Sequence, residues 1–215
     1  MEWLEIFDIS LFRSVLRNMT PIALIGFGAA MCSASGVLNI GLEGKMLNAA
    51  FVGVATSFYT GSALIGFICG VSAGILTSIL FGLLSFRLGA DEVLAGLAIN
   101  IFALAGTRYL LETLFQRRGF FSDPSIQGID PIHFKFLEGS KFELIFSGYT
   151  PSVYFIFFLA VILYFVYYNT RLGTSIRATG ENPEAAEDAG INTTRIKWIT
   201  VIFAGFLAGV AGTFL

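Results

Sequence analysis

"ALIGFICGVSAGILTSILFGLLSF", residues 63–86, runs without a single charged side chain. At about 1.5 Å of rise per residue, a helix of this length reaches across the roughly 30 Å hydrocarbon core of a bilayer. In lipid the backbone must satisfy its own hydrogen bonds, so the stretch reads as a membrane-crossing helix. Within it Gly66, Gly70, Gly74, Ser78 and Gly82 recur every fourth residue. Small side chains at that spacing form a groove along one helix face and let a second helix approach closely. Gly205, Gly209 and Thr213, beside Ala204, Ala208 and Gly212, make a second such set. The grooves read either as tight packing within one bundle or as a seam between moving parts.

Working outward, further apolar windows lie near 19–38, 46–61, 93–111, 151–169 and 197–215. The fold class predicted is all-α: a polytopic transmembrane helical bundle with about six spans, forming a single membrane domain over 1–215. The 46–61 window is short for a full crossing and reads as a broken or re-entrant piece, tolerated where protein or a water-filled cavity surrounds it. Residues 3–16 carry Trp3, Phe7 and Phe12 among Glu5, Asp8, Arg13 and Arg17 and suggest an interfacial helix. The 112–150 connection, with Pro124, Pro131 and His133, reads as an extramembrane loop, and 170–196 as a second one. Basic residues divide evenly between the two sides, and only the dense set Arg171, Arg177, Arg195 and Lys197 points to that side as cytoplasmic. The acidic N-terminus does not resemble a cleaved signal, so the first span is expected to stay in the membrane. "VIFAGFLAGVAGTFL" (201–215) has no polar tail, and further spans are expected beyond it.

Composition agrees with a membrane solvent. The 215 residues are 55% hydrophobic and only 13% charged, with 23 Phe and 24 Gly, and mean hydropathy is +0.78. Soluble domains carry about 25% charged residues. A net charge of −2 speaks against nucleic-acid binding. Cys32 and Cys69 fall in apolar stretches and read as small buried hydrophobes. One histidine and two cysteines offer no metal-ligand cluster, so neither metal nor cofactor is expected.

Polar residues inside the spans are therefore the informative ones, because each costs several kcal/mol, roughly, if left unpaired in hydrocarbon. "SASGVLNIGLEGKMLNAAFVG" (33–53) is the densest case, placing Asn39, Glu43 and Asn48 among Gly36, Gly41, Gly44 and Gly53. It reads either as an interrupted helix facing a cavity or as an ordinary turn in which Glu43 and Lys45 are solvated. "GLEGK" is not a phosphate loop, since Asn39 and Met46 occupy positions that need Gly and Ser or Thr. Asp91 and Glu92 open the fourth span, where carboxylates favour a helix N-terminus. Asn100 follows about two turns later, as an interhelical hydrogen-bonder or a pathway contact. No proton-relay series, Arg-rich sensor or hydrolytic triad is visible.

"TGENPEAAEDAGIN" (179–192) is acidic and alanine-rich between two very apolar regions. Asn182 is a good N-cap, Pro183 a natural first helical residue, and Gly190 suits the left-handed position that ends a helix. The helix predicted is 183–189. Ala185, Ala186 and Ala189 share one arc of it; Glu184, Glu187 and Asp188 share the opposite one. A small rigid helix with a methyl-lined face suits docking on a cytoplasmic partner.

"TRLGTSIRATGENPEAAEDAGINTTRIKWITVIFAGFLAGVAGTFL" (170–215) resembles the coupling loop and following span of bacterial ATP-binding-cassette (ABC) permeases, the superfamily of branched-chain amino-acid, ribose-type sugar and nucleoside importers. "GVLNIGLEGKMLNAAFVG" (36–53) and "ADEVLAGLAINIFAL" (90–104) are similar to its simple-sugar and nucleoside subset. The resemblance runs from about Pro21 to Leu215 and is weakest across 112–150. It implies a multi-pass permease of the bacterial inner membrane with no ATP site of its own. Its expected partners are ABC ATPase subunits, a second homologous permease forming a homo- or heterodimer, an extracellular or periplasmic substrate-binding protein, and membrane lipid. By position, Glu181 to Ile191 would be the coupling helix with Gly180 and Gly190 as hinges. Asn39 to Gly44 would lie at the translocation path or its gate, and the path residues expected are Asn39, Glu43, Asn48 and Asn100. The competing reading is a secondary carrier or channel acting without an ATPase.

Overall fold

A computed structural model describes residues 9–116, 132 and 148–215. Residues 3–8 of the expected interfacial helix, and most of the 112–150 connection with Pro124, Pro131 and His133, lie outside the described residues. The described chain forms α1 (Ile9–Ala34), α2 (Leu42–Thr60), α3 (Ala63–Gly82) closed by a π-helical turn (Leu83–Arg87), α4 (Glu92–Phe115), α5 (Pro151–Asn169), α6 (Arg171–Glu181), α7 (Pro183–Asp188) and α8 (Thr193–Thr213). Residues 9–16 are the first turns of α1 and not a helix of their own. Among the described residues there is no strand, only an isolated bridge between Ile132 and Tyr149.

Five helices are long and apolar enough to cross a membrane: Ser14–Ala34, Ala63–Arg87, Glu92–Phe115, Pro151–Asn169 and Thr193–Thr213. The sixth expected window is a continuous helix, α2, but Glu43, Lys45 and Asn48 in its first two turns make it too polar to qualify by composition. Its glycines fix where it sits. A Cβ on Gly66 would come within 2.7 Å of the Gly53 carbonyl oxygen, and one on Gly70 within 2.8 Å of that of Ala49. That antiparallel register sets Leu42 beside Thr77, leaving about ten residues of α3 and its π turn, roughly 15 Å, beyond the start of α2. From Leu42, α2 rises about 28 Å to the hairpin at Gly61, so the link between α1 and α2 lies near the end of the bundle where α4 begins, with the Leu38 N–H bonded to Glu92.

The small-residue grooves meet each other within this one chain. A Cβ on Gly74 would lie 2.6 Å from the Gly205 oxygen and 2.7 Å from Gly209 Cα, and one on Gly82 would meet the Trp198 ring at 2.6 Å. Gly66 thus admits α2, Gly70 admits both α2 and the Thr213 end of α8, and Gly74, Ser78 and Gly82 admit α8. α8 is the central post: 61% of its spanning window is buried, against 22–33% for the other four. Three apolar clusters surround it, one of them Met31, Ile176 and Ile196 against α6. Cys32, Val37, Leu42, Phe81, Ile99 and Val201 pack at the end where α8 begins; Leu24, Val71, Ile156, Leu207 and Val210 pack nearer its far end.

Candidate functional site

α1 ends because Gly36 takes a left-handed conformation, φ +76°. Its N–H donates to the Ser33 carbonyl at 3.0 Å and that of Val37 to Cys32 at 3.0 Å, closing the helix by a Schellman motif with buried Val37 as its apolar contact. The extended residues after it need new partners for their backbone groups, and α4 supplies them. Glu92 accepts from the Leu38 N–H at 2.6 Å. The Asn100 side chain accepts from the Gly44 N–H at 2.8 Å and donates to the Ile40 carbonyl at 3.1 Å. Gly41 and Gly96 allow the approach: a Cβ on Gly41 would meet Gly96 Cα at 3.2 Å.

Lys45 is the feature the sequence reading missed. It is 0% exposed, where the turn reading left it solvated. Its ammonium donates to Asn39 Oδ1 at 2.8 Å and stands 4.4 Å from the centre of the Phe81 ring. No carboxylate pairs with it among the described residues. Asn39 Nδ2 turns to Cys32 Sγ at 3.5 Å, and Cys32 donates to the Thr200 carbonyl at 3.5 Å; Ser35 and Thr200 hydroxyls are 2.8 Å apart. The signal was present in the spacing. Lys45, Ala49, Gly53 and Ser57 fall every fourth residue along the buried face of α2, so burial follows from the helix period.

The four expected path residues occupy different surroundings. Asn39 and Asn100 use both ends of their amides to hold the break between α1 and α2. Glu43 is exposed in the first turn of α2. Asn48 makes a long contact to Thr77 Oγ1 at 3.5 Å and opens into a crevice of about 400 Å³ between α2, α3 and α4, walled by Leu76, Leu80, Ile99 and Phe102. That volume falls in the range of small-molecule sites.

At the same end of the bundle, the Thr170 hydroxyl caps α6 by accepting from Gly173 N–H at 3.2 Å. Arg177 ties α6 to α5, donating to the Tyr167 carbonyl at 2.7 Å and standing over the Tyr167 and Tyr168 rings. α7 follows with the expected caps. Asn182 Oδ1 accepts from the Ala185 N–H at 3.1 Å. Gly190, φ +84°, ends the helix by a second Schellman motif, Ile191 N–H donating to Ala186 and Gly190 N–H to Glu187. The helix stops at Asp188, one residue short of the expected end. The Glu187 carboxylate accepts from the Thr193 hydroxyl, fastening α7 to α8.

The alanine face is divided. Ala186 is 3% exposed and turned into the chain's own body, because the Schellman closure folds Ile191 back toward it. Ala185 and Ala189 stay exposed, with Glu181, Asn182, Pro183, Glu184, Glu187 and Asp188. Gly180 lies within α6, where a Cβ would collide with the Ala34 carbonyl oxygen, and a Cβ on Gly36 would lie 3.4 Å from Gly180 Cα. The end of α1 and the approach to α7 thus touch backbone to backbone.

Membrane-length helices around a buried central post, with a polar break between α1 and α2 and a capped helix at one end, define a multi-pass helical membrane protein. The branched-chain amino acid transport system / permease component family matches residues 11–215, and the chain belongs to it. It is similar to the guanosine ABC transporter permease protein NupQ of Bacillus subtilis (strain 168), 28% identical over 210 residues, covering 93% of this chain and 64% of that protein. To the nucleoside ABC transporter permease protein NupC of Lactococcus lactis subsp. cremoris (strain MG1363) it is 26% identical over 222 residues, covering 95% of this chain and 67% of that protein. The guanosine ABC transporter permease protein NupP of Bacillus subtilis (strain 168) is 26% identical over 223 residues, with 98% and 61% covered. The chain thus spans about two thirds of the length of these relatives. No solved structure matches it.

Proposed function

We propose that this chain is the membrane-spanning permease subunit of an ABC importer that carries nucleosides, with simple sugars as the next class. ATP is hydrolysed by separate ATPase subunits, a second homologous permease completes the path, and an extracellular or periplasmic substrate-binding protein delivers the cargo at the cell membrane. The names of NupQ, NupC and NupP support the nucleoside class. The single observation that carries the reading is α7 itself. It is a six-residue helix capped at both ends, and it presents Ala185, Ala189 and Glu184 outward while Gly180 abuts the broken end of α1. Residues 181–191 are the coupling element of the 170–196 loop, and docking of their exposed face on the ATPase transmits its closure to the break. The solute path runs by the crevice at Asn48, with Asn39, Glu43 and Asn100 around the break that borders it. Rigid-body movement of packed helices then switches access.

The test uses the exposed alanines, because Ala186→Arg would disrupt the chain's own packing. Ala185→Arg and Ala189→Arg are expected to leave membrane insertion intact and to abolish substrate-stimulated ATP hydrolysis by the assembled complex. Undiminished stimulation in both variants contradicts the coupling role. Transport by the purified chain in liposomes without any ATPase would replace the whole reading with a secondary carrier.

A further inference from the structure

A second cleft, of about 160 Å³ and with no polar surface, opens between α5, α6 and α8, lined by Leu159, Ile162, Val166, Leu172, Ile199 and Phe203 among others. Ile162, Leu172 and Ile199 are each more than a third exposed, so the cleft faces outward. An all-hydrocarbon space of this size stays dry and accepts apolar ligands. It is far too narrow for a helix some 10 Å across, but it accommodates an alkyl chain. Its mouth is basic. Arg195 lies four residues before Ile199 on the same face of α8, and Arg171 immediately precedes Leu172 on α6. Both are exposed, and neither forms an ion pair among the described residues. Exposed Tyr164 and Tyr168 stand on the last turns of α5 at that end, and tyrosines of this kind mark the headgroup level of a bilayer.

We infer that the cleft is a binding site for an anionic phospholipid, with one acyl chain between α5 and α8 and the phosphate at Arg171 and Arg195. Basic residues at headgroup level attract such lipids, and a hydrocarbon slot directly beneath them turns general attraction into a defined site. The lipid would touch α6, the helix that carries α7, so membrane composition would bear on the segment proposed above for coupling. The binding inference does not depend on that coupling role.

The assembled transporter, purified in mild detergent, is titrated with phosphatidylglycerol or phosphatidylcholine and weighed intact by native mass spectrometry. Phosphatidylglycerol is expected to bind more tightly, and the advantage to fall about five-fold for each arginine removed in Arg171→Gln and Arg195→Gln. Ile162→Trp, which fills the cleft from a half-exposed position, is expected to lose retention of both lipids with the arginines intact. Equal binding of the two lipids, or a phosphatidylglycerol preference that survives all these variants, overturns the inference. So does an efficient cross-link from Ile162→Cys to another protein chain, which would show protein covering the cleft.

Discussion

Lys45 and Asn39 form a unit in which each accounts for the other. A buried ammonium needs an acceptor, and Asn39 Oδ1 at 2.8 Å is its hydrogen-bond partner beside the Phe81 ring. Asn39→Ala is expected to lower stability by about 2 kcal/mol, because it leaves a buried donor unsatisfied. Lys45→Met keeps volume and removes the charge, so it should be neutral or mildly stabilising. Adding it to Asn39→Ala should recover part of the loss. Thermal unfolding of the four proteins in detergent gives the coupling directly; a Lys45→Met loss as large as that of Asn39→Ala would show that the charge itself is required. Gly190 makes a simpler case. Its φ of +84° with open space around the missing Cβ means Gly190→Ala meets backbone strain and no collision, a loss of about 1–2 kcal/mol. At this scale the sequence was partly legible. The caps Asn182, Pro183 and Gly190 could be read because capping is local chemistry. The burial of Lys45 was obscured because charge next to glycine also describes a solvated turn.

Between elements, the packing of α3 against α2 and α8 decides the bundle. Gly74→Leu is expected to unfold or misassemble the protein, since even its first side-chain carbon would lie 2.6 Å from the Gly205 oxygen and cores resist added volume. Gly26→Ala is the matched control: nothing lies within 4 Å of the missing Cβ in mid-helix, so stability should hold or rise by up to about 1 kcal/mol. Resistance to unfolding in mixed micelles, compared between the two, checks the assignment; equal losses would contradict it. The every-fourth-residue grooves were visible in sequence because helical period makes them so. Which helix each groove admits was not, since that depends on register across the bundle. The window at 46–61 shows the same limit. The polarity of its first turns was plain, but where it starts against α3 depends on Gly53 meeting Gly66 and Ala49 meeting Gly70.

Across the whole molecule, the hairpin at Gly61 and the end of α4 at Gln116 share one end, with Phe58 and Phe115 rings 5.4 Å apart. The π turn, α6 and α7 share the other. Single cysteines at Leu88 and Ala189 in a background lacking Cys32 and Cys69 should therefore react with an impermeant maleimide from one face of the membrane. Cysteines at Gly61 and Gln116 should react from the opposite face. Labelling of Leu88→Cys and Ala189→Cys from different faces would refute this topology. The all-helical class was readable from apolar length alone, whereas the break between α1 and α2 required glycine chemistry and the α4 contacts together. One consequence lies in the meeting of Gly36 with Gly180. With no side chain between the two stretches of backbone, the joint has no compressible spacer, so any shift of α6 would bear directly on residues 35–41. A methyl group on Gly180 would be driven into the Ala34 carbonyl and wedge the joint apart.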